Sequence, residues 1–506
     1  MRPIHWASEL AALAVRYADR IAVCDMQGEA SYSTVFAKAA TVGNALMEMG
    51  IRAGDAVATV FRNSADAVSA SYGVMMSGAA EMALNPALGP SDLQHCLKLS
   101  RARVILTSTD LADGMRAAGL TLLRVSELRG SAFDSTIFPS VDPSAPARIV
   151  FTSGTTGPPK GAVHTHEGRW TANLLLRASL PHQPRSGSRI LLMTPFAHGS
   201  SLMTFAYHSS GAAVTLLDGV DPPTVLDLLE SRKCDAMFAP PTVLAKIAAA
   251  AEGRRLSSLR TIFCGTAVLT PTLYSQAKAI FGPVIRVTYG KSEVFNPITV
   301  MEAEETDSWY AGEGDDACVG WPAAGVELAI HGEDGTPVPT GNIGEILIRA
   351  RHLMAGYLTK DGYRRVMPEE FHATGDLGYI DARGRLHLVG RADDMIKSGG
   401  YTVAPDEVER ALAAVLQPSE VAVVGIPSEY WGEVVLAAVE RPAPGWQARV
   451  EDIVKAMTIY KRPRLLVAFD ELPRNGTGKI RRAAIRADIL SRYRVSEGSK
   501  PQLVER

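Results

Sequence analysis

The 506-residue sequence lacks several things that would place it quickly. It has five cysteines, Cys24, Cys96, Cys234, Cys264 and Cys318, and no two form a CxxC pair. Scattered in this way they supply neither the clustered thiolates of a zinc site nor a disulfide framework, and they suit a reducing compartment. Charge of one sign is also missing. The 52 Lys and Arg against 54 Asp and Glu leave −2, which argues against nucleic acid as a partner. No run approaches the roughly 18 apolar residues of a membrane span, and Met1-Arg2-Pro3-Ile4-His5-Trp6 opens no leader-like apolar stretch. The end, Leu503 to Arg506, matches no retention or peroxisomal address. A cytoplasmic location is the expectation. Lysine is scarce: 13 of the 52 basic residues, leaving 39 arginines. A lysine inside a glycine-rich loop therefore stands out.

The length exceeds one ordinary hydrophobic core, so two or more domains are expected. In the first half, short β-branched runs alternate with Ala- and Leu-rich helical patterns. Asp55 to Phe61 reads as a buried strand, Ser64 to Ala79 as a helix capped by Ser64 or Asn63, and Ala102 to Thr107 as the next strand. This alternation predicts α/β layers on parallel sheets, with ligands beyond the carboxyl ends of the strands. From about residue 320 the pattern becomes β-rich, with strands expected at Val326–Ile330 and Gly344–Arg349. A boundary is expected after Gly390-Arg391. Beyond it, Pro405 to Leu416 reads as a helix and Val421 to Gly425 as a strand of a small α+β unit.

The densest motif is Phe151-Thr152-Ser153-Gly154-Thr155-Thr156-Gly157-Pro158-Pro159-Lys160-Gly161. Glycines let backbone N–H groups approach an anion, hydroxyls add donors, and lysine adds a point charge. A triphosphate tail requires that combination. Lys160 is followed by Gly161 rather than Ser or Thr, so this is not a Walker loop.

The loop resembles the signature of the adenylate-forming superfamily, which includes acyl-CoA synthetases, peptide-synthetase adenylation domains and luciferases. Further elements match in order and span nearly the whole chain: Tyr289-Gly290-Lys291-Ser292-Glu293, Thr374-Gly375-Asp376, the stretch from Gly390-Arg391 to Tyr401, and Pro473 to Lys479. The similarity points to the fatty-acid and aryl-acid CoA ligase branch. It implies a large N-terminal domain, 1–390, for acid and nucleotide, and a mobile C-terminal domain, 391–506, carrying a catalytic lysine and a CoA tunnel.

What the resemblance implies residue by residue follows from the family's two half-reactions, adenylation by ATP and thioester formation with coenzyme A. Thr152, Ser153, Gly154, Thr155, Thr156, Gly157 and Lys160 would hold the β- and γ-phosphates. Ser292 would contact the α-phosphate and Glu293 would hold Mg²⁺. Gly265, Thr266, Ala267, Tyr289 and Gly290 would flank the nucleotide, with Asp376 and Arg391 on the ribose. Lys479 would neutralise charge at the reacting phosphoryl group. His198 would lie near the acyl carboxylate, unless it is a satisfied core histidine. Phe196, Gly199 and Lys291 would line the acyl pocket. Asp393 matches the hinge, and Ser398, Gly399, Gly400 and Tyr401 the pantetheine passage. Arginines among Arg462, Arg464, Arg474, Arg481 and Arg482 would meet the CoA phosphates. Small residues Gly199, Ser200, Ser201 and Gly265 leave volume for a bulky or cyclic apolar acid.

The sequence also departs from the family pattern. Lys291 stands where relatives carry a small or neutral residue, Ser292 replaces Thr, Thr266 replaces Gly, and Phe371 replaces a frequent Trp. These changes cluster on the nucleotide half of the site. They keep open an alternative in which the protein mainly converts an acyl-adenylate supplied by a partner enzyme into acyl-CoA. A luciferase-like activity and a non-catalytic binding role on the same scaffold are further alternatives. A homodimer is the assembly to consider, as the commonest among oligomers.

Overall fold

The computed structural model describes the whole chain except residues 1, 109, 110, 112–119, 130–132, 153–158, 232, 252, 315, 368, 476, 477, 497 and 499. Its frame is two large sheets. The first contains Ile21–Asp25, Ala213–Leu216, Arg189–Leu192, Ala236–Phe238, Thr261–Cys264 and Ile285–Lys291 as a run of parallel neighbours. The antiparallel strands Val294–Met301, Ala317–Pro322, Leu386–Arg391, His372–Ile380, Gly344–Ala350 and Val326–His331 extend it to one edge. The second sheet holds Thr121–Arg124, Val104–Thr107, Ala56–Val60, Ala80–Leu84 and Pro146–Thr152 in parallel. Lys160–Thr165 then returns antiparallel to Pro146–Thr152.

The local rules that predicted these elements operate as expected. Ser64 caps helix Ala65–Ser77 by accepting from the Ala67 N–H, and Gly78 ends it at φ +76°. Every residue from Ala67 to Ser77 is buried, because the helix is sandwiched between sheet and neighbouring helix. It meets helix Tyr32–Glu48 at small residues. A methyl group on Gly73 would come within 2.6 Å of the Ala39 carbonyl oxygen and of Val42.

The strand Leu386–Arg391 is the last in chain order to join the large sheets, and the turn Ala392–Asp394 follows it. From Ile396–Ser398 onward the chain builds a separate five-stranded sheet, with Val421–Ser428 and Gly432–Glu440 at its centre. Helix Pro405–Leu416 buries Val408, Leu412 and Leu416, a stripe at four-residue spacing, against this sheet. Its bounds match the sequence expectation, whereas the strand from Val421 runs three residues longer than expected, to Ser428.

The helix crossing is testable. Gly73→Ala should cost about 1–3 kcal/mol through overpacking and lower the thermal unfolding midpoint. An unchanged midpoint would contradict the close approach described here.

Candidate active site

Strands Arg189–Leu192, Thr261–Cys264 and Ile285–Lys291 run in the same direction, so the segments that follow them emerge at one edge. Those segments are Phe196–Ser200, residues 265–267, and the turn Ser292-Glu293. Thr152 and Lys160 are paired across the strands that carry the glycine-rich loop. Ser153, Gly154, Thr155, Thr156 and Gly157 lie outside the described residues.

The centre of the arrangement is Asp376, which is buried. Arg391 is its direct cross-strand neighbour, and the guanidinium Nη1 sits 3.0 Å from Oδ1. Tyr289 donates its hydroxyl to Oδ2. Lys291, expected to line the acyl pocket, directs its ammonium to the Thr374-Gly375-Asp376 segment: 3.0 Å to Asp376 Oδ2 and 2.7 Å to the Thr374 carbonyl. The bulge between Tyr289 and Lys291 belongs to the same hairpin. Gly375 adopts φ +71°, a left-handed conformation that favours glycine. Its N–H donates to Glu345 at 3.1 Å, while Thr374 Oγ1 accepts from the Asp376 N–H.

Lys479, from the small C-terminal unit, comes within electrostatic range of this cluster. Its residue surface is open to solvent, yet its pKa is held below the usual lysine range by surrounding protein. A cation in a crevice, wetted but closely walled, reconciles the two. The charges of Lys291 and Arg391 lower it further, and Asp376 opposes them. The loop is closed by the Lys479 N–H donating to Asn475 Oδ1 and the Asn475 N–H donating to the Lys479 carbonyl. His198 lies near enough to feel Lys479. Burial pushes its pKa down to about 4, with Arg148 and Lys479 adding to the fall, so the ring is neutral at pH 7; Nε2 has no hydrogen-bond partner among the described residues.

Glu293 accepts from the Tyr357 hydroxyl at 2.8 Å. Its backbone is held by the Met354 N–H, and that of Ser292 by His164 Nε2–H at 2.8 Å. The His164 ring stacks on Phe295 with centroids 3.7 Å apart. Sequence reading missed Tyr357, His164 and Arg148. A lone tyrosine, histidine or arginine in a strand carries no motif, and only the fold brings each beside a motif residue.

Several expectations take a different physical form. Gly265 is small because a methyl group there would meet the Thr288 carbonyl oxygen at 2.7 Å, not because it opens volume for a substrate. Ser200 is fully buried and bonded to Thr194, and Ser201 to the His198 carbonyl, so both serve the turn. Gly199 alone faces a ring, with a built methyl 3.7 Å from Phe238, and Phe196 is buried in the core. Thr266 adopts φ +70°, strained for a β-branched residue. Ser398 is buried at a strand end and pairs with Tyr401. Gly399 and Gly400, at φ +59° and +82°, form the two-residue hairpin turn between them. Tyr401 is exposed and stacked on Tyr460. Asp393 lies in the turn Ala392–Asp394. Among the basic candidates, Arg474 is bonded to Glu420 and Glu440, and Arg482 to Asp394, Asp406 and Glu409. Their charge is spent within the small unit. Arg464 lies over the Trp431 ring at 3.9 Å, and Arg462 donates to backbone carbonyls.

A parallel sheet whose strand ends present these groups, met by a lysine from a second unit, defines an adenylate-forming enzyme. Residues 10–358 match the AMP-binding enzyme family and residues 407–479 match the AMP-binding enzyme C-terminal domain. The chain belongs to the AMP-binding enzyme family. It is 31% identical over 474 residues to feruloyl-CoA synthase of Amycolatopsis sp., covering 90% of this chain and 93% of that protein. It is 29% identical over 472 residues to 2-succinylbenzoate–CoA ligase of Geobacillus sp., covering 92% and 94%. Among solved structures, the anthranilate CoA ligase in complex with anthranoyl-AMP superposes with a TM-score of 0.83 at 25% identity, covering 96% of this chain and 97% of that one. The o-succinylbenzoate CoA synthetase of Bacillus subtilis shares the fold, with a TM-score of 0.84 at 24% identity and 99% of both chains covered.

Buried imidazoles give this region a pH dependence. Burial lowers His352 to about 4, and neither ring nitrogen has a partner among the described residues. In the unfolded chain the ring titrates near 6.5. The unfolded state therefore binds the extra proton as pH falls from about 6.5 to about 4, and stability falls over that window. His352→Leu should make the fall of the melting midpoint over that window shallower. An equally steep fall would show that this ring does not contribute.

Proposed function

We propose that the chain is an AMP-forming acid–thiol ligase that makes an acyl-CoA from ATP, a carboxylic acid and coenzyme A. The observation that carries this is the meeting of Lys479 with the Asp376, Arg391 and Lys291 cluster across two structural units. In the first step an acid oxygen attacks the α-phosphorus and pyrophosphate leaves. Lys479 offsets the charge that builds on the phosphoryl oxygens, and Asp376 accepts from the ribose hydroxyls. Glu293, one oxygen of which accepts from the Tyr357 hydroxyl, would hold Mg²⁺ through its carboxylate, a hard oxygen ligand suited to that ion. Bound there, the ion would neutralise phosphate charge. The neutral His198 ring faces the acid without opposing it by a charge of its own. In the second step the CoA sulfur attacks the acyl carbon and AMP leaves.

The domain division at 390/391 and rotation about Asp393 between the steps belong to this proposal. The turn Ala392–Asp394 supports both, lying where the large sheets end. The acid is bulky or cyclic, as the feruloyl, succinylbenzoate and anthranilate relatives support. A cytoplasmic setting fits the five free cysteines; no helix among the described residues is long and apolar enough to cross a membrane.

Two observations favour a second reading. Lys291 occupies the carboxylate that ribose would use, and Thr266, which follows Gly265 in the chain, holds a strained φ of +70°. Both weaken nucleotide capture, as expected of an enzyme that mainly thioesterifies a supplied adenylate. Pyrophosphate release on incubation with ATP, Mg²⁺ and an acid panel separates the two, and release with one acid removes the second.

Lys479→Ala should cut pyrophosphate release by at least about a hundredfold, as loss of a preorganised charge at the transition state does. Acyl-CoA formation from a supplied acyl-adenylate should survive. Equal loss of both half-reactions would contradict the assigned role.

A further inference from the structure

Under the turn that carries His198 lies a second charged cluster that the reaction above does not use. Glu81, Arg148 and Arg169 are 1%, 2% and 6% exposed. Arg148 lies 3.7 Å and Arg169 3.3 Å from the one carboxylate. Ser71 and Thr59 donate their hydroxyls to it as well. Two guanidinium groups face a single carboxylate among the described residues, so within these the cluster buries one uncompensated positive charge. The neighbouring imidazoles add no charge of their own: burial and these cations hold His164 at about 3, and His166 at about 4. A buried unpaired cation is costly, and the cost is relieved by a counter-charge or a well-placed acceptor.

The arginines retain donors for one. Arg148 spends Nη2 on the Ala197 carbonyl, but its Nε has no partner among the described residues; Arg169 uses Nη2 on Ser71 and Glu81, but its Nη1 has none among them. Both side chains line a crevice completed by Asn173, Ser201, Leu202 and Phe205, with room for a water-sized group. Ser201 and Leu202 continue the segment that carries Phe196, His198 and Gly199, the wall assigned above to the acid.

We propose that Arg148 and Arg169 form a buried site for one anionic acceptor. That acceptor has two sources: a free halide ion, or an oxygen at the far end of the acid being activated. The second source rests on the proposed function. It narrows the substrate class to acids that carry, besides the reacting carboxylate, a second acceptor such as a carboxylate or sulfonate.

Arg169→Met is the informative variant, because it leaves Glu81 and Arg148 as a balanced pair while keeping an apolar stem. In the first arm, chloride replaces gluconate at constant ionic strength and the thermal midpoint is read. A free halide site predicts a higher midpoint in chloride for the wild type and no chloride effect in Arg169→Met. In the second arm, aryl acids bearing a ring carboxylate are compared with their methyl isosteres by kcat/KM. A substrate site predicts a preference of about tenfold or more for the carboxylate-bearing acid, lost in Arg169→Met chiefly through KM. Either pattern supports the site and names its source. If chloride has no effect and the acids are not discriminated, or if either effect persists in Arg169→Met, the crevice holds water and the proposal fails. If no acid yields pyrophosphate or acyl-CoA, the functional reading fails, while the chloride arm still decides whether an anion binds.

Discussion

Asp376 is one carboxylate shared by several elements. Its strand pairs with the strand of Arg391, Tyr289 and Lys291 come from the end of a parallel strand, and Lys479 approaches from the small unit. A carboxylate has about four acceptor positions, and Tyr289, Lys291 and Arg391 take three. Burial keeps these charge-assisted bonds strong, so the geometry of the cluster is fixed before any nucleotide arrives. That fixity is useful to an adenylating enzyme, since donors already in place need not reorganise as charge develops. Under the proposed function it also sets a condition: a ribose bound at Asp376 would share the carboxylate with Lys291 or displace it.

The same region shows how charge is managed away from the chemistry. Around Arg148 and Arg169, the histidines are kept neutral by burial and by the adjacent cations. His387 behaves oppositely. Burial alone would lower it, but hydrogen bonding to Asp316 outweighs that and carries it up to about 10. Its contribution to stability is therefore complete below about 6.5 and is lost only as pH rises through its folded value. In the small unit, Arg482 binds Asp394, Asp406 and Glu409 together, which ties the turn at Ala392–Asp394 to the helices beyond it. A swing of the small unit about Asp393 would leave those bonds intact.

Much of this was legible in the sequence because the relevant rules are local. The Ser64 cap, the buried strand at Ala56–Val60 and the helix Pro405–Leu416 follow from residue type and period alone. The motif residues Tyr289, Asp376 and Arg391 were identified by resemblance, and the sheet brings them together. The functions of small residues were not legible. Gly265 reads as spare volume in a sequence, yet it is small to pass the Thr288 backbone. Ser200 and Ser201 satisfy a turn. Lys291 reads in the sequence as a departure from the family pattern that could meet a polar group of the acid; a bulge and a long flexible stem turn its ammonium to Asp376. Contacts of high sequence separation, such as Glu293 with Tyr357 or Glu81 with Arg148, have no sequence pattern to announce them.

The most direct test is a crystal structure of the chain bound to an acyl-sulfamoyl adenosine, a stable mimic of the acyl-adenylate. The expected result is ribose hydroxyls on Asp376, the Lys291 ammonium shared or withdrawn, and Lys479 within about 3 Å of the sulfamoyl oxygens. A nucleoside bound elsewhere, with Tyr289, Lys291 and Arg391 still enclosing Asp376, would contradict it.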